Sequence, residues 1–358
     1  MRFIKIGLFL TVAALVTWLL WPGPVNSDSW LPPEAPSMTG VYQANNALKS
    51  VSLIAKGEVY GPEDIAVDAE GVIYAGMQDG RISRIVDGKI ESWINTGGRP
   101  LGLHFDAQGN LIVCDAWKGL LSVNPNGEIT VLTTEAEGLP FRFVDDLDIA
   151  SDGIIYFSDA SSRFDQPDYM LDLLEAKPWG RLLSYDPVSR ETKVLIRGLY
   201  FANGVALSSD ESYVLVNETY RYRISRYWLK GDKAGSSDIF IDNLAGFPDG
   251  ISSNRNGTFW VAMPSPRMAD IDDIHTKPWL KDIIAKLPDS VKPAPLSYGL
   301  ILELNEAGEV VASYHDTDGK HVREITSVQQ VNDDLYIGNL HQDWVGKISV
   351  EALRASIR

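Results

Sequence analysis

Short apolar segments alternate with Asp/Asn/Ser/Gly turns along most of the chain, and one arrangement returns six times. The units are PEDIAVDAEGVIYAG (Pro62–Gly76), PLGLHFDAQGNLIVCD (Pro100–Asp115), VDDLDIASDGIIYFSD (Val144–Asp159), ANGVALSSDESYVLVNE (Ala202–Glu218), PDGISSNRNGTFWVA (Pro248–Ala262) and ITSVQQVNDDLYIGN (Ile325–Asn339). Each predicts a β-hairpin: a short strand, a tight turn, and a second strand rich in Val, Ile, Tyr and Phe. A third strand follows every hairpin, starting at Gly80, Gly119, Gly180, Tyr222, Tyr298 and Val345. Lys49 to Val350 spans 302 residues, or about fifty per unit, the size of a four-stranded blade. The pattern therefore predicts an all-β, six-bladed propeller over residues 48–358. The sixth unit ends after its third strand, and a spare segment, Lys49–Lys56, precedes the first. Pairing the two chain ends closes the ring and leaves no open sheet edge. A solenoid has shorter repeats, and a sandwich would not repeat one hairpin six times.

Turn-to-turn spacing is 38, 44 and 46 residues for three intervals but 58 from Gly153 to Glu211 and 77 from Gly257 to Asp334. The extra length falls between the second and third strands of units three and five, roughly Ala160–Trp179 and Pro264–Leu296. Each insert contains a segment with apolar residues at three- and four-residue steps, YMLDLLEAK from Tyr169 and PWLKDIIAKL from Pro278, which predicts a helix. Both connections lie on the face where the inner strands begin, so the inserts should overhang that mouth of the ring as a lid or binding rim.

The first 24 residues break the pattern. Ile6–Trp21 is an uncharged run of sixteen, preceded by Arg2 and Lys5. It reads as a single transmembrane anchor, with the positive flank in the cytoplasm and everything after it exported. The same segment reads alternatively as a cleaved signal peptide, with Val25-Asn26-Ser27 as its best cleavage site. Residues 25–47, rich in Pro and Ser, suggest a stalk. Either way the propeller is expected on the extracytoplasmic side.

Composition narrows the function. With 32 Lys+Arg against 48 Asp+Glu the formal net charge is −16, the wrong sign for a protein that grips nucleic acid through its summed field. Cys114 is the sole cysteine, which excludes an intrachain disulfide and Cys-based metal sites. The five histidines show no metal-ligand spacing; His341 and His275 fall where they could reach the mouth. Asn217-Glu-Thr219 and Asn256-Gly-Thr258 fit the glycosylation sequon.

Inner strands line a propeller's channel, so one repeat position forms one ring. Just after the Pro or its equivalent stand Glu63, Leu101, Asp145, Asn203, Asp249 and Thr326. Four of these offer carboxylate or amide oxygens, the donors that hard divalent cations prefer, and three converging carboxylates repel one another without a cation between them. Glu63, Asp145, Asn203 and Asp249 are thus candidate ligands of one Ca²⁺ at the channel mouth.

The stretch Lys177–Arg267, KPWGRLLSYDP…ANGVALSSDESYVLVNETYRYRISRYWLKG…FPDGISSNRNGTFWVAMPSPR, together with the PWLKDIIAKLP insert and the LYIGNL strand, resembles the strictosidine synthase-like family. The likeness is to its adipocyte plasma membrane-associated branch of anchored propellers with arylesterase activity. More distantly the chain is similar to the gluconolactonase/SMP-30 and paraoxonase hydrolases. That resemblance implies a channel Ca²⁺ on Glu63, Asn203 and Asp249, with Asp145 where those lactonases carry Asn. It places the catalytic Glu of the plant alkaloid synthases at Thr326, which argues against Pictet–Spengler condensation, and the catalytic His of the paraoxonases at Leu101. What remains is a Ca²⁺-dependent hydrolase of lactones or aryl/alkyl esters, with Asp249 or Glu63 activating water. Trp179, Tyr169, Trp279 and His341 are candidate substrate-binding residues. The alternative is a membrane-tethered binding or scaffold propeller with a structural Ca²⁺.

Overall fold

The computed structural model describes residues 6, 17, 18, 21–292 and 294–357. Six four-stranded antiparallel sheets form the ring. Their inner strands are Ile65–Val67, Pro100–Phe105, Val144–Ile149, Ala202–Leu207, Ile251–Ser253 and Ile325–Val331. The sixth sheet takes its outer strand from the other end of the chain: Ser52–Ile54 pairs antiparallel with Val345–Ser349, Leu53 opposite Gly346. The predicted closure is present, with the spare segment's first two residues, Lys49 and Ser50, in a 3₁₀ turn (Ala47–Ser50) instead of a strand.

The turns follow from their residues. In the first hairpin Asp68 Oδ1 accepts the N–H groups of Glu70 and Val72, and Gly71 takes φ +84°, which a side chain would resist. The inner strands then pack against one another so closely that a Cβ on Gly204 would lie 2.4 Å from the Asp249 carbonyl oxygen of the next blade. Two other blades hold their neighbours through acids: Asp64 Oδ2 accepts from Leu103 N–H at 2.9 Å, and Asp146 Oδ2 from Val205 N–H at 2.9 Å.

Both inserts lie where the spacing put them. The first carries α1 (Tyr169–Glu175); the second carries α2 (Ala269–His275) and α3 (Pro278–Ala285); a further helix, α4 (Val350–Ala355), is capped by Ser349 and ends the described chain. Helices α2 and α4 were not foreseen. The segment read as a stalk lies along the propeller. Asn26 N–H donates to Glu175 Oε1, Ser27 N–H to Asp282 Oδ1 and Trp30 N–H to the His275 carbonyl, so the strap ties α1, α2 and α3 together. Among the described residues no helix is long and apolar enough to cross a membrane; most of the Ile6–Trp21 anchor segment lies outside those residues.

Candidate active site at the channel mouth

Glu63, Asp145, Asn203 and Asp249 come together, all buried, as the floor of one cavity of about 110 Å³. Backbone irregularity aims them. In blades two, three, four and six the register between the first two strands shifts around Leu101, Asp145, Asn203 and Thr326, the signature of a β-bulge, which redirects a side chain out of the sheet's alternation. In blades one and five, Glu63 and Asp249 sit just ahead of the strand proper. Asp249 is further fixed through its backbone, its carbonyl accepting from Gly204 N–H at 3.0 Å and from the Asn217 amide. Asn217 is fully buried in this role and closed to glycosylation, whereas Asn256 is exposed in its turn. Thr326 turns away from the cavity, its hydroxyl donating to the Glu63 carbonyl at 2.7 Å.

Crowding of acids in a desolvated place raises their proton affinity. Burial, then Glu63 and Asp249, push Asp145 well above the usual carboxylate range; burial, then Glu63, do the same to Asp249. Burial pushes Glu63 up to about 7, opposed by the Arg99 guanidinium and assisted by Asp64. No described group donates a hydrogen bond to the carboxylate of Glu63 or Asp145. Three converging carboxylates with an amide suit a hard divalent cation by donor chemistry. Among the described residues, no three His, Cys, Asp or Glu side chains are yet grouped closely enough to hold a metal ion. The donors converge without forming a closed cage.

Above the floor the cavity is apolar. Phe143, Phe201 and Phe247 form a collar, closed by Tyr220 and roofed by Leu173 of α1 and Ile271 of α2. Phe143 meets Phe201 edge-on at 5.2 Å and Phe201 stacks on Tyr220 at 4.4 Å. No Lys, Arg or His lines it among the described residues.

The four candidate substrate-binding residues divide. Tyr169 lines the cavity. Trp179 lies on the outer side of the lid, its indole donating to Glu175 Oε2 at 2.7 Å beside Val25 and Phe164. Trp279 is 64% exposed on α3, and His341 pairs at the rim with Glu324 at 3.0 Å; neither lines the cavity, although Leu340 does. His275 also stays out of the mouth, buried inside the lid against Trp30. The collar was missed from sequence. Its signal was in the repeat, two places before the ring, where blades three, four and five each carry Phe.

These features define a six-bladed propeller with a carboxylate-floored mouth under a helical lid. The fold is similar to that of a gluconolactonase from Xanthomonas campestris (TM-score 0.61, 17% identity, 92% of this chain and 99% of that one). It is also similar to regucalcin, a calcium-binding protein from Agrobacterium tumefaciens (TM-score 0.56, 12% identity, 83% and 90%). The chain belongs to the strictosidine synthase-like family: residues 145–232 match the strictosidine synthase family and residues 40–85 the strictosidine synthase-like N-terminal family. It is 36% identical to human adipocyte plasma membrane-associated protein over 98% of this chain and 90% of that protein. Identity is also 36% to Arabidopsis thaliana strictosidine synthase-like 10, over 97% and 99%.

Proposed function

We propose that the protein is a membrane-anchored, extracytoplasmic, Ca²⁺-dependent hydrolase of lactones or aryl/alkyl esters. The observation that carries the reading is the floor of three carboxylates and one amide beneath an apolar collar. Glu63, Asp145, Asn203 and Asp249 would hold the ion. When bound, Ca²⁺ supplies a Lewis acid for the substrate carbonyl and for the charge that develops on its oxygen. The chain's own part is then threefold. Glu63 or Asp249 takes a proton from the attacking water on a carboxylate oxygen. The Phe collar grips the apolar acyl or aryl group, and the lid keeps bulk water out. Thr326, hydrogen-bonded to the backbone, offers no acid–base group for a condensation. The membrane reading is supported by the name of the human relative, which is plasma membrane-associated.

The second reading, a tethered binding propeller with a structural ion, is favoured by the lack of any histidine lining the cavity among the described residues. Hydrolysis of phenyl acetate and a γ-lactone separates the two. The hydrolase reading expects chelator, Glu63→Gln and Asp249→Asn each to lower kcat/KM at least about 100-fold, the usual scale for losing a general base or an electrostatic stabiliser. Rates unchanged in all three overturn it and leave the binding propeller.

A further inference from the structure

Blade two is the odd one at the mouth. Its ring position is Leu101, which brings no oxygen, yet two residues earlier stands Arg99, among the largest fully buried side chains of the protein. Its guanidinium bridges the first two blades, Nη1 donating to the Gly61 carbonyl at 3.2 Å and to the Pro100 carbonyl at 3.5 Å. Gly61 lies two residues before Glu63, so the cation sits at the gap in the ring. Nε is buried without a hydrogen-bond partner, and no carboxylate among the described residues pairs with Arg99 directly. A buried guanidinium without an ion-pair partner is costly unless nearby charge compensates it. Its backbone N–H is nonetheless held firmly, donating to Asp115 Oδ1 at 3.0 Å. Asp64 and Asp146, one residue deeper in the channel, already use oxygens on the backbone N–H groups of Leu103 and Val205. Of the carboxylates within its field, Glu63 and Asp145 of the ring act most strongly, ahead of Asp115 and Asp79.

We propose that Arg99 is the built-in counter-charge of the carboxylate ring, a specificity-determining residue that offsets one of the ring's three negative charges and so biases the site towards a divalent over a trivalent cation. The inference rests on reading the ring as a cation site, and deepens it. At the ring position three carboxylates and one guanidinium leave −2; Asp64 and Asp146 beneath it add a constant acidic background that substitution of Arg99 or Asp145 does not change. Without Arg99 the ring position carries −3, one unit more, which shifts its preference towards a trivalent ion. Arginine suits the task because it stays protonated even when buried.

The test uses full-length protein in detergent, with Ca²⁺ and Tb³⁺ affinities from calorimetric titration and thermal midpoints taken in chelator and in saturating Ca²⁺. Removing one positive charge at a range of several ångströms is worth about fivefold in affinity per ligand charge at an effective dielectric near 20 to 80. Arg99→Met should therefore tighten Ca²⁺ about 25-fold and shift the Tb³⁺/Ca²⁺ preference about a further fivefold. It should also enlarge the gain in thermal midpoint that Ca²⁺ brings. Arg99→Lys keeps the charge and should keep the wild-type preference. Arg99→Met with Asp145→Asn restores −2 and should return the preference to the wild-type value. If Arg99→Met does not fold, the lysine variant and the charge-balanced double variant decide. Unaltered preference in Arg99→Met, a lysine variant that behaves like methionine, or a midpoint lowered equally with and without Ca²⁺ would each overturn the proposal, the last by showing a purely structural role. Failure of the wild type and every variant to bind either ion would instead overturn the cation site itself, and the proposal with it.

Discussion

Phe201 takes φ +60°, a left-handed backbone that aromatic residues rarely adopt, while its side chain stacks on Tyr220 and meets Phe143 in the wall of the cavity. The equivalent residues in blades one and six, Gly61 at +55° and Glu324 at +52°, share that conformation, so the loop leading to the ring is a repeated device. A non-glycine residue there costs roughly 1–3 kcal/mol and persists when its surroundings over-determine it. The ring was legible in the sequence because four polar residues recur at one repeat position among apolar neighbours. The collar was not, because a Phe beside a strand reads as ordinary core. On the proposed hydrolase reading the collar grips substrate alike in ground and transition states, so Phe201→Leu should raise KM for phenyl acetate about 5–10-fold with kcat nearly unchanged, the pattern of lost uniform binding. Folding should lose less than about 1.5 kcal/mol, since volume is nearly conserved. Steady-state kinetics checks the split; a fall in kcat at constant KM would remove Phe201 from the substrate wall.

At the scale of elements, the sequence showed α1 and α3 because their apolar residues recur every three or four positions. It hid α2, whose ADIDDIH holds few apolar residues among its acids, and it hid the strap, which has no periodicity and is ordered by hydrogen bonds to α1, α2 and α3. The weak point of this lid is His275. Its ring is buried edge-on against Trp30 at 5.1 Å, and both ring nitrogens lack a hydrogen-bond partner among the described residues. Burial, with Lys281 from α3, Arg221 from blade four and Arg267 just before α2, lowers its pKa to about 3. The folded value lies below the ordinary 6.5, so between those limits the unfolded chain binds the extra proton. Stability is therefore full above about pH 6.5 and falls as pH drops towards 3. At pH 5 the loss from this group is about 2 kcal/mol, at about 1.4 kcal/mol per pH unit. A His275→Gln variant should show a shallower loss of urea midpoint between pH 7 and pH 5 than the wild type. Equal slopes for the two would assign the acid limb to other groups.

Across the whole molecule, closure of the ring was the most legible feature, because an unfinished sixth unit and a spare leading strand have one geometrical resolution. The same closure makes stability depend on residues far from any blade's own sequence. Leu48 and Val51, both buried, enter the core between blades five and six, and Ser52–Ile54 covers the edge of Val345–Ser349. Burying two such side chains is worth about 1.5–3 kcal/mol each, so the closing segment contributes about 5 kcal/mol once its ladder is added. Two truncations separate closure from the strap. Removing residues 1–43 deletes the proposed anchor and the strap over the lid but keeps the closing segment, and should leave a cooperative unfolding transition. Removing residues 1–56 also takes the closing strand and exposes an unpaired edge, which invites pairing with another chain. That protein should unfold on the order of 10 °C lower, at a few degrees per kcal/mol for a chain of this size, and should aggregate from the opened blade. Differential scanning calorimetry with light scattering reads both effects. Equal midpoints for the two truncations would mean that the strand occupies the edge without closing the ring energetically.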